Sequence, residues 1–544
     1  MGTQAGVFRL AVIGGGVSGL SAAYYAQQQL REQGIAAEIT LLEKSRRLGG
    51  KIHTLHKEGF VIEKGADSFL ARKLPIIELS RELGLEGELT GTNPAAKKTY
   101  ILQNGKLHRM PAGLVLGIPT EITPFLKTGL ISPKGKLRAA LDLVLPRRKE
   151  QGDESLGQFL TRRVGREVLE RVAEPLLAGI YAGDTFALSL QSTFPQFQAL
   201  ERKHGSLIRG MMMNRRANGQ ETKGLPNIAQ NSMFLTYKGG LSTVINRLVE
   251  ACNGISIRTG VGVEGLERNG SAEIDTRDGM AREAVMRPAD GQAALTAEEG
   301  RTANRSTSAS GQEQRSRAAR YRLRLTDGST LDADAVVIAL PTYAAGELLR
   351  DVPAYDPIAA MPYVSVANVV MAFRKEDVPQ ILDGTGFLVP RREGRSITAS
   401  TWTSVKWLHT APDGGLLLRC YVGRSGEEEL VQAPDEQIIA RVRHDVRELM
   451  GISAEPQFTE ITRLLRSMPQ YPVGHVENVR RLREYLNEHR PGLVVCGAGY
   501  NGVGIPDCVR QGREAAQAIA AFAKQAVQGT AARQTGDAPL AQTM

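Results

Sequence analysis

Phe8, Leu10, Val12 and Ile13 form an apolar run that reads as a buried strand, and the run ends in Gly14, Gly16 and Gly19. Leu20, Ala23, Tyr24 and Leu30 then recur at helical spacing, which predicts an amphipathic helix. A second apolar strand, residues 39–42, stops at Glu43. Further on, a helix begins near Pro75 and ends at Gly84. Residues 98–102 and 107–111 flank Asn104-Gly105 as a hairpin. From Leu114 to about Lys203 the apolar positions fall in helical patches interleaved with Lys and Arg. A helix starts at residues 155–158, and another breaks into a turn over residues 174–184.

After an Arg-rich polar loop at residues 211–230, residues 234–241 lead into a helix through Leu248, followed by strands at 255–258 and 261–263. Residues 332–341 read as another buried, parallel-type strand. Between these strands, residues 271–320 contain no aromatic side chain, which predicts a disordered surface insertion in a hairpin. Alternating runs from Val364 to Tyr421 predict an antiparallel sheet, with a helix over 436–449 after it. The chain is then expected to return to its first domain through residues 461–464. A buried strand at 493–499 and a final helix to about Val527 follow, leaving a disordered tail to Met544.

The opening order of strand, glycine turn, helix, strand and acid is the context that gives a GxGxxG match its meaning. Gly14 allows the tight turn, Gly16 lets the backbone approach a pyrophosphate, and Gly19 lets the helix pack close to the strand. The helix start, from Gly15 through Val17 and Ser18, offers N–H groups and a positive dipole end to phosphate. Glu43 can accept a hydrogen bond from a ribose hydroxyl and would repel a 2′-phosphate, which argues against NADP. Lys44 and the turn Arg47-Leu48-Gly49-Gly50-Lys51 follow at once, a basic and side-chain-poor segment suited to a diphosphate or flavin. Near the other end, a strand closing in Gly499 precedes Gly502, Val503, Gly504, Ile505 and Pro506, which reads as a second cofactor-facing helix start. One cofactor site drawn from both ends means that the middle of the chain is inserted into the cofactor domain.

Composition narrows the picture only a little. The 544 residues suffice for two or three domains, and 42% hydrophobic with 23% charged residues is ordinary for a globular enzyme. No apolar run is long enough to span a bilayer, and the first strand begins too early for a signal peptide, so the expected location is cytoplasmic. The net charge of +10 fits nucleic acid, an anionic membrane surface, a polyanionic substrate, or plain solubility. No nucleic-acid signature accompanies it, so no nucleic-acid partner is expected. The helical region at 114–203 reads as an ordinary lobe or as a face lying on a membrane surface. Four cysteines without paired spacing read as free thiols, and His53 and His56 fall on opposite faces of a strand, so no metal is expected.

Further runs are residues 65–70, Leu176 to Asp184 (LLAGIYAGD), Ser192 to Phe197 (STFPQF), Ser467 to Tyr471 (SMPQY) and Gly502 to Asp507, of which Gly179 to Asp184 and Thr193 to Phe197 go beyond a generic flavoenzyme. With them the chain resembles the flavin-dependent porphyrinogen oxidases of haem biosynthesis, of the Gram-positive bacterial type, within the amine-oxidase-like flavoproteins. The resemblance implies an α/β (α+β overall) fold with three parts. A Rossmann-like FAD domain (1–64, 232–345, 460–527) carries the insertion 271–320, and a sheet-based substrate domain takes 65–113, 206–231 and 346–459. The helical lobe is 114–205, and the tail is 528–544. It also implies noncovalent FAD, held at its ADP part by Gly14 to Gly19 and Glu43. Lys51 with Gly65, Ala66, Asp67 and Ser68 would flank the flavin, Val263 would face adenine, and Val503 to Pro506 would close over the isoalloxazine. Lys73 matches a position near a substrate carboxylate, and Ile180 one against the substrate ring.

The implied reaction is oxidation of a porphyrinogen, coproporphyrinogen III in preference to protoporphyrinogen IX. FAD accepts hydride, molecular oxygen is the terminal acceptor, and hydrogen peroxide is released in three two-electron rounds. A ferrochelatase-type enzyme would take the product. Two departures stand out: the insertion, and Leu464-Leu465 where relatives commonly carry tryptophan. No catalytic acid or base is legible. An amine oxidase or carotenoid desaturase, and a flavin-bearing porphyrin carrier without turnover, are the competing readings.

Overall fold

Five strands, all parallel, form the sheet on which the first motif sits. In spatial order they are Ser256–Thr259, Ala37–Glu43, Phe8–Ile13, Ala335–Ile338 and Leu493–Val495. The computed structural model describes residues 7–115, 117–150, 152–217, 225–269, 319–380 and 382–535. The strand order reverses direction beside Phe8–Ile13, and in such open sheets ligands bind outside the carboxyl ends of the strands at that point. The first strand comes from the start of the chain and the last from its far end, as the glycine motifs implied.

One face of this sheet packs on the helices Val17–Glu32, Ser242–Ala251 and Ile505–Thr535. Val17–Glu32 and Ile505–Thr535 cross closely. A Cβ on Gly512 would lie 2.6 Å from the Ser18 carbonyl oxygen, so only glycine allows the approach. The other face carries the three-stranded antiparallel unit Val263–Arg268, Tyr321–Leu325 and Thr330–Ala333, with the helices Thr342–Leu348 and His475–His489. Most of the expected insertion, 270–318, lies outside the described residues. Its base is a closed hairpin, since the Asn269 N–H donates to the Arg320 carbonyl at 2.8 Å and the Asn269 side-chain amide to the Ala319 carbonyl at 2.9 Å.

The second sheet has seven strands, in the order Phe458–Pro469, Tyr363–Arg374, Gly415–Val422, Ile397–Trp402, Gly384–Leu388, Lys98–Gln103 and Lys106–Arg109. All neighbours are antiparallel except Gly384–Leu388 with Lys98–Gln103. The Asn104-Gly105 hairpin is as expected, both residues having positive φ. Alternation sends Leu416, Leu418, Cys420 and Val422 against the helix Asp435–Met450. Leu417 instead faces Phe60 and Ile62, on the side that carries the cofactor-facing loops.

Three expectations need correction. Residues 461–464 do not return to the first sheet: Phe458–Pro469 is the edge strand of the second sheet, paired over its length with Tyr363–Arg374. The loop expected at 211–230 is helical in its first part, within Leu207–Ala217. The last helix continues past Val527 to Thr535, so the first part of the expected tail is helical, and 536–544 lies outside the described residues.

The region 114–203 is predominantly helical around its own core, which includes Phe125, Phe159, Leu160, Leu169, Phe197 and Leu200. Inside it, Arg163 and Asp142 are both fully buried, joined by a 2.5 Å hydrogen bond from Arg163 Nε to Asp142 Oδ1. The helix Glu174–Tyr181 ends where Ala182 takes a left-handed conformation (φ 49°). Among the described residues no helix is long and apolar enough to cross a membrane.

Candidate active site

The first strand delivers Gly14 (φ 106°) directly beneath the end of its neighbour, where a Cβ would lie 2.7 Å from the Ala339 carbonyl oxygen. The helix Val17–Glu32 starts behind Gly16 with no side-chain cap and no acidic residue in its first turn. Among the described residues no side chain caps its N-terminal N–H groups, which is the arrangement a diphosphate completes. Gly16 itself faces open space, with nothing within 4 Å of where a Cβ would be. Ser18 is buried, its hydroxyl 3.8 Å from the Cβ position of Gly497 at the end of the last strand.

Glu43 performs a task the sequence did not reveal. Its Oε2 accepts from the Gly15 N–H at 2.7 Å and its Oε1 from the Ser45 N–H at 2.8 Å. The carboxylate thus ties the glycine turn to the end of the second strand, and each oxygen keeps lone-pair capacity for a hydroxyl. The second fingerprint folds onto the first: the Gly49 N–H donates to the Gly15 carbonyl at 2.8 Å, and a Cβ on Gly50 would lie 3.3 Å from Gly16 Cα. Arg47 curls back onto the carbonyls of Leu48, Gly50 and Ile52, so its guanidinium builds this turn. Lys44 packs against Gly262, and the Val261 N–H donates to the Glu43 carbonyl, which brings Val263 to the same end of the sheet as Glu43.

The expected flavin-side residues form a continuous group. Lys51 donates to the Ser467 carbonyl, and Gly65 lies so close to Lys51 that a Cβ would be 1.8 Å from the Lys51 carbonyl oxygen. Lys51 is exposed, with protein packed around it. Burial pushes its ammonium down to about 8, with Cys508 pulling the other way. Asp67 is held well below the usual carboxylate range: burial alone would raise it, but Lys406 and Arg419 outweigh burial. Lys406 Nζ stands 3.3 Å from Asp67 Oδ2, and the Ser68 hydroxyl donates to Asp67 Oδ1 at 2.7 Å. Ala66, between Gly65 and Asp67, is exposed.

Arg419 is a residue of this group that sequence reasoning missed. Its guanidinium donates to the Gly65 carbonyl and stands between Asp67 and Glu63. The available signal was a single charge in the apolar run Leu416 to Val422, at a position whose alternation faces the cofactor-side loops. Beside it is a cavity of about 20 Å³ lined in part by Glu63, Thr236, Trp407 and Arg419. Glu63 Oε2, Arg419 Nε and Trp407 Nε1 have no hydrogen-bond partner among the described residues. Burial pushes the Glu63 carboxyl up to about 7, against the Leu241 N–H and Thr54 hydroxyl that favour its charged form.

At the far end, Gly499 is set by packing, since a Cβ would lie 2.5 Å from Thr342 Cγ2. Val503 and Gly504 lead into Ile505 and Pro506, the first residues of the long C-terminal helix. Lys73, expected near a substrate carboxylate, pairs with Asp507. Its ammonium lies 2.7 Å from both Oδ1 and Oδ2 of Asp507. Ile180 is 37% exposed on the last turn of its helix, beside Tyr181, whose phenol is raised by burial and by the charge of Asp507. Leu465, on the edge strand, is half exposed. Residues from both ends of the chain and from the inserted sheet thus meet, Gly49 on Gly15, Lys51 on Ser467, Arg419 on Gly65 and Lys73 on Asp507.

The chain matches the flavin-containing amine oxidoreductases over residues 17–290 and 312–520. It is 41% identical over 505 residues to the coproporphyrinogen III oxidase of Bacillus subtilis, covering 93% of this chain and 96% of that one. It is 28% identical over 531 residues to the human protoporphyrinogen oxidase, covering 93% and 97%. Among solved structures, one from Exiguobacterium sp. 255-15 assigned as a protoporphyrinogen oxidase superposes with a TM-score of 0.76 at 34% identity, covering 94% and 99%.

Proposed function

This chain belongs to the flavin-containing amine oxidoreductase family, and from that premise we propose that it is an FAD-dependent oxidase of haem biosynthesis that converts coproporphyrinogen III to coproporphyrin III. The observation that carries the reading is its end-to-end identity of 41% with a relative named for that substrate. FAD, held noncovalently, supplies the two-electron acceptor, with molecular oxygen as terminal acceptor and hydrogen peroxide as by-product.

The protein's part is binding and orientation. The uncapped helix start and Gly16 receive the diphosphate, Glu43 takes the ribose side, and Val263 stands at the adenine end. Lys51, the loop Gly65 to Ser68 and the turn Val503 to Pro506 border the isoalloxazine. Arg419 and Lys406 fix that loop through Gly65 and Asp67. Lys73 meets a propionate and Ile180 packs on the macrocycle. The protons released from the substrate pass to solvent, and no general base among the described residues is assigned.

The experiment is anaerobic bleaching of the flavin by coproporphyrinogen III and by protoporphyrinogen IX, followed by oxygen. Fast bleaching by the first, then peroxide and coproporphyrin fluorescence, is expected. A yellow protein bleached by neither would return the amine and carotenoid substrates. Bleaching by protoporphyrinogen IX alone would move the enzyme to the later step, as the human relative's name suggests.

A second proposal concerns location. Val115, Ile122, Leu126, Leu137, Leu143 and Val144 are exposed on the helical lobe among lysines and arginines, which supports weak docking to an anionic membrane surface. Sedimentation with phosphatidylglycerol vesicles, absent with phosphatidylcholine alone, tests it. Transfer of product to a ferrochelatase-type enzyme is the corresponding expectation for a partner.

A further inference from the structure

Lys73 and Asp507 each stand at the start of a helix. Lys73 precedes Leu74–Glu82 in an extended conformation, with no side-chain cap there, and Asp507 is in the first turn of Ile505–Thr535. A helix start carries positive partial charge, so an ammonium placed between two of them is repelled unless a carboxylate compensates. Asp507 supplies it, with both oxygens 2.7 Å from Nζ. The side chains differ in exposure: Lys73 is 43% exposed and Asp507 17%, so the carboxylate sits behind and the ammonium in front. An ammonium has three N–H bonds. Two are directed at Asp507, and one is left toward the open side.

The carboxylate also shapes the turn next to it. A Cβ on Gly502 would lie 2.7 Å from Asp507 Cγ, and one on Gly504 2.9 Å from Asp507 Oδ2, so the turn closes around this side chain only because both residues lack one. The charge of Asp507 reaches Tyr181, the neighbour of Ile180. A single carboxylate therefore contacts the cationic residue and the turn 502–504, and its charge is felt at the helix end that carries Ile180.

We propose that Asp507 is a positioning residue for substrate: it anchors two N–H bonds of Lys73 and thereby aims the third at a carboxylate of the bound porphyrinogen. The inference rests on the porphyrinogen reading above. In this arrangement the Lys73–Asp507 pair is neutral as a whole, so it selects by direction and hydrogen bonding, with little net charge to attract anions in general. A substrate carboxylate joins the pair without displacing Asp507, giving a carboxylate–ammonium–carboxylate row.

The test is steady-state kinetics of Asp507→Asn with coproporphyrinogen III, with FAD content read from the flavin absorbance. KM is expected to rise about tenfold with kcat within twofold and FAD content unchanged, because the unanchored ammonium swings off the helix starts. Lys73→Met with Asp507→Asn should be no worse than Lys73→Met alone. Asp507→Glu keeps the charge but displaces the ammonium by about a methylene length, so KM should rise several-fold in a protein of wild-type stability; it carries the test where Asp507→Asn does not hold FAD. An unchanged or lowered KM in the active variants, or additive effects of the two substitutions, would overturn the role of Asp507 alone. Wild-type protein that turns over no porphyrinogen would overturn the functional reading and this inference with it.

Discussion

Gly19 rests its α-carbon against Gly14 so tightly that a Cβ would come within 1.9 Å of the Gly14 carbonyl oxygen, whereas a Cβ on Gly16 would meet nothing within 4 Å. The two glycines of one motif therefore answer to different constraints, one to packing and one to the space a cofactor takes. Gly16→Ala is expected to fold with a wild-type melting temperature and to lose FAD by at least tenfold in affinity. Gly19→Ala should lose both stability and FAD. Flavin absorbance after desalting, beside thermal melts, reads the difference, and a Gly16→Ala protein that keeps its flavin would contradict the placement of the diphosphate.

Two buried groups set opposite pH limbs of stability. Burial lowers His475 to about 4, so below its ordinary value of about 6.5 the unfolded chain takes a proton that the folded protein refuses, and stability falls as pH drops from 6.5 toward 4. Burial raises Glu63 to about 7, so the folded protein keeps a proton that the unfolded chain has released, and stability falls as pH climbs from about 4.5 toward 7. Each limb amounts to about 3 kcal/mol at most, at 1.36 kcal/mol per pK unit. Glu63→Gln should flatten the upper limb and His475→Gln the lower one. Denaturant midpoints from pH 4 to 8 measure both, and an upper limb of wild-type slope in Glu63→Gln would refute the assignment.

Arg163 and Asp142 carry a larger consequence than any surface pair. Both are fully buried, and Asp142 also accepts from the Ser206 hydroxyl at 2.5 Å and the Ile208 N–H at 2.8 Å. Removing the cation leaves a buried charge uncompensated, which costs about 3–5 kcal/mol. Arg163→Met should therefore lower the unfolding free energy by that order, or unfold the helical lobe. Arg480, on an exposed helix face with Glu477 and Glu484, should be replaceable by alanine with no shift in midpoint. Equal effects of the two substitutions would show that burial does not govern them.

The insertion leaves from a hairpin already closed at its base by Asn269, Arg320 and Ala319. Replacing residues 271–318 by a short turn is expected to leave FAD content and turnover within twofold of wild type. Loss of flavin in that protein would show that the insertion supports the cofactor domain.

What the sequence determined by itself was local. The period-two strands, the 3.6-residue helix, the glycine spacing and Asn104-Gly105 all follow from backbone sterics and burial within a few residues, and the structure places them where expected. The meeting of the chain's two ends was legible as well, because each end carries its own glycine turn after an apolar strand. Tertiary structure alone decided which distant groups met. Lys73 finds Asp507 across 434 positions and Arg419 finds Gly65 across 354, and neither pairing leaves a mark in any local period. The edge strand Phe458–Pro469 shows why the domain return was misplaced: alternation announces a strand but not which sheet it joins, since that depends on backbone hydrogen bonds offered by Tyr363–Arg374 nearly a hundred residues earlier. Charge near a cofactor motif is likewise ambiguous until the fold is known. Arg47 turns inward onto its own carbonyls while Arg419, from the inserted sheet, reaches the loop at Gly65, because only burial determines which cation lacks water and must be partnered by protein.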